Sequence, residues 1–159
     1  MTDHLDAIMA VMETAFDPAF GEAWSRRQVG DALLLPNTFC LLAGADGEEP
    51  EDQGPITGFA LSRFVVDQEE LLLLAIHPDW RRRGIARRLL ARFIAASHDR
   101  GAVRLFLEMR EGNCAQIVYR SAGFKEIGRR KHYYRRGSHG PLDAITFGLD
   151  RPAVASSNN

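Results

Sequence analysis

The sequence predicts one α/β (α+β) domain, and three observations carry that reading. The chain has 159 residues, 45% of them apolar, enough for one core and too few for two. Helix-period and strand-period segments alternate along it. The apolar run Leu71 to Ile76 has the length of a buried strand and is bounded by Glu70 and the turn His77-Pro78.

The elements follow in order. Leu5, Ile8, Met9 and Met12 recur at helical spacing, which predicts a helix over 5–15. Ser25 has the chemistry of an N-cap for a second helix through Leu34, stopped by Pro36. Residues 38–43 read as a strand, GADGEEPEDQGP as an acidic insert expected to be disordered, and 56–66 and 70–76 as two further strands. From Gly84, the stripes Ile85, Leu89, Phe93 and Ala86, Leu90, Ile94 make a helix to about His98, closed by Gly101. Residues 103–109 form another strand and 113–121 a short helix ended by Gly123. A final hairpin joins 124–136 to 143–149 around GSHGP. A single domain over 1–150 is expected, with the tail 151–159 disordered.

The formal net charge of −1 conceals a division. Residues 1–70 carry 14 acidic and 3 basic side chains, whereas residues 71–159 carry 7 acidic and 17 basic. Such asymmetry predicts an anionic partner for the second half and a cationic one for the first. No apolar run approaches the roughly 20 residues of a membrane helix, and MTDHLD lacks a secretory pattern. The expected compartment is the cytoplasm. Cys40 and Cys114 stand far apart without a pairing or metal pattern, and the five histidines, His4, His77, His98, His132 and His139, have no ligand spacing. No metal is expected.

RRRGIARRLL, Arg81 to Leu90, sits where the buried strand hands over to a helix. It reads in two ways. Arginines at a helix start are often simply solvated; a helix start also offers free amides and the positive end of the dipole to an anion. Gly84 and Ala86 keep that backbone approachable.

Arg81-x-x-Gly84-x-Ala86, following AIHPDW, resembles the pyrophosphate loop of the GCN5-related N-acetyltransferase (GNAT) superfamily. EAWS, TFCLLAG, LFLEMREGN, YRSAGF and the pairing of RRKHYY with LDAITF extend the resemblance over most of the chain. It is closest to those members that acetylate the amino-terminal alanine of a small-subunit ribosomal protein. The resemblance implies a mixed central sheet of about six to seven strands flanked by about four helices, and acetyl-CoA as co-substrate.

By matched position it also implies roles. The backbone of Leu74, Ala75 and Ile76 would pair with the pantetheine arm as an added strand does. Arg82, Arg83, Gly84, Ile85, Ala86 and Arg87 would hold the pyrophosphate, and Asn113 would touch the cofactor. Glu108 would take the amine's proton and Tyr119 would protonate the departing sulfur. Each position has a plainer reading: Leu74 and Ile76 as core, Glu108 as a strand-end carboxylate paired with an arginine, Tyr119 as packing. Asn113 to Tyr119 is one residue shorter than in the family, a rotation of about 100° on a helix, which displaces Asn113 or moves the helix start. Cys114 lacks His and Asn or Asp partners and reads as a small helix residue.

For the acceptor, Glu70 with Glu22 and the first two helices would form an acidic side of the groove. Tyr133 and Tyr134 would flank the peptide, with Asp143 in support. The expected partner is a protein amino terminus, ribosomal by the resemblance, with neither nucleic acid nor membrane. Three alternatives stay open: an acetyltransferase for lysine or a small amine, a ribosome- or RNA-binding module using the cations and aromatics of RRKHYYRR, and a non-catalytic acyl-CoA sensor.

Overall fold

A computed structural model describes residues 4–134 and 140–151. His139, most of the GSHGP loop and the tail beyond Arg151 lie outside the described residues.

The first helix, α1, spans His4–Ala15, and α2 spans Arg26–Leu33. The Ser25 hydroxyl accepts from the Gln28 amide while the Gln28 side chain accepts from the Ser25 amide, a reciprocal cap that fixes where α2 begins. The strands are β1 Thr38–Ala43, β2 Gly58–Val65 and β3 Gln68–Ile76. Helix α3, Ile85–Asp99, crosses over to β4, Arg104–Arg110. Helix α4, Gln116–Ser121, precedes the hairpin of β5, Lys125–Tyr134, and β6, Leu142–Asp150.

These strands form one six-stranded mixed sheet in the order β1-β2-β3-β4-β6-β5. Among the described residues only β3 and β4 pair in parallel. Alternation along β4 sends Leu105, Leu107 and Met109 to the face covered by α3, where they meet Leu89, Leu90 and Phe93. The opposite face packs Phe59, Leu61, Leu73 and Ala75 against Ile8, Val11, Met12 and Val29 of α1 and α2. Among the described residues no helix is long and apolar enough to cross a membrane.

The parallel pairing is short. It joins Gln68–Leu71 to Arg104–Leu107 and stops there. At the same level β2 and β3 slip register, Ser62 facing Leu71 and Leu61 facing Leu73, so Leu72 is an extra residue that bends the strand. Beyond it β3 remains paired with β2 and β4 with β6, and the two parallel neighbours diverge into a cleft.

One expectation is corrected. The acidic segment 44–55 is an ordered loop, held from α3. The Arg92 guanidinium donates to Leu42 O at 3.0 Å and Gly47 O at 2.8 Å and pairs with Glu49, and Arg88 donates to Asp46 O. Gly47 fits this contact because of its φ of +87° and because a Cβ there would lie 3.0 Å from that of Arg88. At the end of the described residues, the Arg151 amide donates to Val103 O at 2.9 Å.

The end of α3 is tied to the sheet by a buried charge. Glu69 is fully buried, accepts from the Ser62 hydroxyl at 2.7 Å, and is gripped through both oxygens by Arg100, whose guanidinium lies 3.9 Å from the Phe39 ring centre. Removing the arginine strands a carboxylate that water does not reach, whereas Arg100, left alone, still touches solvent. Arg100→Met is therefore expected to cost about 3–5 kcal/mol in urea unfolding. Glu69→Gln with Arg100→Met is expected to cost less than Arg100→Met alone, and equal midpoints for the two variants would contradict this account.

Candidate active site

The cleft opens where β3 turns away from β4. Leu74, Ala75 and Ile76 lie on that free edge with their side chains in the two cores, so what they offer the cleft is backbone. Gly58, opposite Ile76 in β2, makes this packing possible: a Cβ would sit 2.5 Å from Ile76 Cδ1 and 2.7 Å from Ala75 O. Nothing in the sequence pattern pointed to that glycine.

From Ile76 the chain passes through His77, whose Nδ1 accepts from the Asp79 amide at 3.1 Å, into a turn over Pro78–Trp80 and then the arginine run. Arg82 and Gly84 are both left-handed, with φ of +64° and +79°. An arginine in that region is uncommon and carries a local backbone cost. Gly84 caps α3 without any side-chain hydrogen bond, and the first helical bond is Arg88 N to Gly84 O. The amides of Ile85, Ala86 and Arg87 thus have no carbonyl within the helix. The space beside Gly84 is open, so its φ, not a crowded neighbour, is what demands glycine.

The structure sorts the arginines that sequence reasoning could only group. Arg81 is structural, donating to Ile76 O at 3.2 Å and to Ala15 O, the last residue of α1, at 2.7 Å. Arg83 stacks on Trp80 at 4.8 Å, and Arg88 and Arg92 hold the acidic loop. Arg82 and Arg87 are exposed, and among the described residues neither is engaged by a carboxylate or a ring. Ile85 is a core residue and Ala86 is half-buried.

Across the cleft, Glu108 points from β4 to the face opposite α3, as the alternation predicts. It is paired: Arg130 of β5 donates through Nε at 3.2 Å and through a second nitrogen to the same oxygen, Oε2. Glu70 lies near enough for Glu108 to raise its pKa, although burial is the larger cause and Arg63, 3.7 Å away, opposes both. Glu22 is bound by Arg110 at 2.8 Å, and that guanidinium lies 3.5 Å from the Phe20 ring centre. The expected acidic side of the groove is therefore charge-compensated by Arg63, Arg110 and Arg130, none of which sequence reasoning assigned.

Three tyrosines complete the region. Tyr119 is buried edge-on to Phe124, with centroids 6.0 Å apart, and its phenol is pushed well above its usual pKa by burial and then by Glu22. Tyr134 is raised to about 12 by burial, then by Glu108 and Glu22. Tyr133 meets Tyr134 at 86° and 5.3 Å and carries the Arg130 guanidinium 3.8 Å from its ring centre. Asp143 holds the hairpin that presents them, accepting from the His132 amide at 2.9 Å and from Arg129 at 3.0 Å. Those bonds lower its pKa.

Asn113 departs from expectation. Helix α4 begins at Gln116, three residues later than predicted, because the Asn113 side chain accepts from the Ala115 amide at 3.0 Å and closes a separate turn. Cys114 lies in that turn, exposed, and is not a helix residue. Glu108 acts through space on Glu70 and on Tyr134, and Glu22 acts on Tyr134 and on Tyr119.

Residues 36–126, more than half of the chain, match the acetyltransferase (GNAT) domain. The chain belongs to the GNAT acetyltransferase family. As a GNAT domain it is an acetyl-CoA-dependent N-acetyltransferase. It is 34% identical over 121 residues to the ribosomal protein bS18-alanine N-acetyltransferase of Haemophilus influenzae, covering 73% of this chain and 83% of that one. With the Escherichia coli enzyme of the same name it shares 38% identity over 97 residues, 60% of this chain and 65% of that one. The crystal structure of the Escherichia coli S18-alanine N-acetyltransferase superposes with a TM-score of 0.80 at 28% identity, over 100% of this chain and 95% of that chain. The mixed sheet and four helices of the GNAT fold are thus present here, with six strands.

The two thiols differ sharply. Burial, with a smaller contribution from Glu49, pushes Cys40 up to about 12, while Cys114 is exposed. Only the thiolate reacts with an alkylating agent. At pH 8, iodoacetamide is expected to add one carbamidomethyl group to the folded protein, mapped to Cys114 by peptide mass spectrometry; modification of Cys40 at a comparable rate would contradict the burial.

Proposed function

We propose that this chain acetylates the free α-amine of a protein amino terminus, with the amino-terminal alanine of a small-subunit ribosomal protein as its acceptor. The observation that carries the reading is the position of Glu108, at the cleft mouth beside the two hairpin tyrosines. The relatives named above, which act on bS18 alanine, support the choice of acceptor.

The donor side fits acetyl-CoA. Open amides at Ile85, Ala86 and Arg87, with Arg82 and Arg87 uncommitted beside them, suit a diphosphate. The free edge of β3 from Leu74 to Ile76 suits an amide-bearing arm laid alongside as a strand. The Asn113 oxygen accepts from the Ala115 amide, which leaves the carboxamide nitrogen as a donor for the co-substrate. The co-substrate supplies an activated acyl carbon; the protein supplies orientation and proton handling.

An amino-terminal amine has a pKa of about 7.7–8.0 against about 10.4 for lysine. Roughly a tenth of it is neutral at pH 7, against less than about 0.1% of a lysine. One carboxylate is then a sufficient base. Glu108 takes the ammonium proton, the neutral nitrogen attacks the acyl carbon, and the C–S bond breaks. Tyr119, at the position matched to the family's acid, gives its proton to the leaving sulfur and recovers one from the new amide nitrogen. Glu22 is less suited to be the base because Arg110 holds it in a mostly buried pair.

A polyanion-binding role is disfavoured by the hairpin's own chemistry: Arg129 is engaged by Glu126 and Asp143, and Arg130 by Glu108. Two of the cations of that run are thus compensated within the protein.

Peptides with a free amino-terminal Ala, Ser or Thr, and a blocked peptide with one internal Lys, incubated with acetyl-CoA, separate the readings by mass spectrometry. Acetylation is expected on free amino-terminal alanine and not on the lysine; lysine-only modification would overturn the assignment, and no turnover at all would favour a sensor. Glu108→Gln is expected to lower kcat/KM about 10²–10⁴-fold. Replacing Arg82 and Arg87 by Glu should raise the acetyl-CoA KM and leave the peptide KM unchanged.

A further inference from the structure

Three carboxylates face the acceptor side of the cleft, and each has an arginine, but the three arginines are not equivalent. Arg110, bound to Glu22, has 15% of its side chain exposed and is fixed by Phe20. Arg63 approaches Glu70 no closer than 3.7 Å. Arg130 has 55% of its side chain exposed, on β5, an edge strand exposed along nearly its whole length. Both of its donors address one oxygen of Glu108, so the fork-to-fork pairing that makes an arginine–carboxylate contact tenacious is absent. Its other contact is the face of Tyr133 at 3.8 Å. A carboxylate and an aromatic face together make a seat for a cation.

We infer that Arg130 is an exchangeable occupant of the acceptor's amine subsite: without acceptor its guanidinium sits on Glu108 and Tyr133, and an incoming ammonium takes that seat by trading places with it. The inference rests on the proposed function above, which makes Glu108 the group the acceptor must reach. The exchange is selective by charge. A guanidinium stays protonated throughout the working pH range, so a neutral amine finds Glu108 capped, whereas an ammonium replaces one cation by another. Once seated, the ammonium passes a proton to Glu108 and becomes the nucleophile. Arg130, released at an exposed edge, regains water. Arg130 is thus a specificity-determining residue that acts by competition.

Competition has a signature that a structural or acceptor-binding role lacks. Arg130→Ala is expected to lower the KM for an alanine-initiated peptide roughly twofold to fivefold, the range of an exposed ion pair, with the acetyl-CoA KM unchanged. Arg130→Lys should restore the higher value. Guanidinium chloride at low millimolar concentration should compete with the peptide in Arg130→Ala and not in the wild type. A titration of guanidinium followed by the Tyr133 ring resonances needs no turnover: saturable binding is expected in Arg130→Ala and none in Arg130→Ala with Glu108→Gln. A raised or unchanged peptide KM in Arg130→Ala, or failure of guanidinium to bind it, would overturn the inference. If the wild type acetylates no peptide amino terminus, the proposed function fails, while the titration still decides whether this seat accepts an exchangeable cation.

Discussion

The site exists because the pairing of β3 with β4 is allowed to stop. Four rungs, ending at Leu71 and Leu107, hold the two parallel strands together, and each strand then keeps its other neighbour while losing this one. A sheet that stayed closed to Ile76 would bury the backbone edge that the cleft exposes. The extra residue at Leu72 provides the bend, and Gly58 provides the closeness that keeps β2 on β3 while it turns. Helix α3 starts at the open end, so its unsatisfied amides and the free strand edge point into one space. Arg81, bridging Ile76 O and the end of α1, braces that corner.

Charge is organised by the same geometry. The division into an acidic first half and a basic second half reads, in sequence, as a statement about partners. Folding shows that much of it is internal: Glu22 meets Arg110, Glu49 meets Arg92, and Glu69 meets Arg100, each pair joining the two halves. The loop 44–55 is ordered for this reason. At the start of α3, Arg82 and Arg87 stay outside these pairs and, with the helix amides, remain available to an outside anion.

Legibility in the sequence followed the range of the cause. The bounds of α1, α2 and β1 were readable almost to the residue because periodicity, the Ser25 cap and Pro36 act within a few positions. The ordered acidic loop was not, because its anchors, Arg88 and Arg92, lie about forty residues further on. The start of α4 failed for a local but competing reason, a side-chain bond from Asn113 that offers the backbone another turn. The family motif brought Glu108, Tyr119, Tyr133 and Tyr134 to notice. No motif indicated which arginine answers which carboxylate, since those pairs form across strands that are distant in sequence.

That last point separates two carboxylates of the same kind. Glu22 and Glu108 both act on Tyr134 through space, and either has the chemistry of a base. Their arginines divide the work. The Arg110 pair is mostly buried and stacked on Phe20, so breaking it would leave a charge with little water to receive it, and Glu22 is better fitted to act on Tyr119 as a fixed negative field. That field, added to burial, keeps a proton on the phenol. The Arg130 pair stands at an exposed edge where water can replace either partner, so Glu108 can be uncovered without stranding a charge. On the function proposed here, the environment of the counter-ion, more than that of the carboxylate itself, separates the acid that acts as a fixed field on Tyr119 from the acid that can be uncovered for a proton.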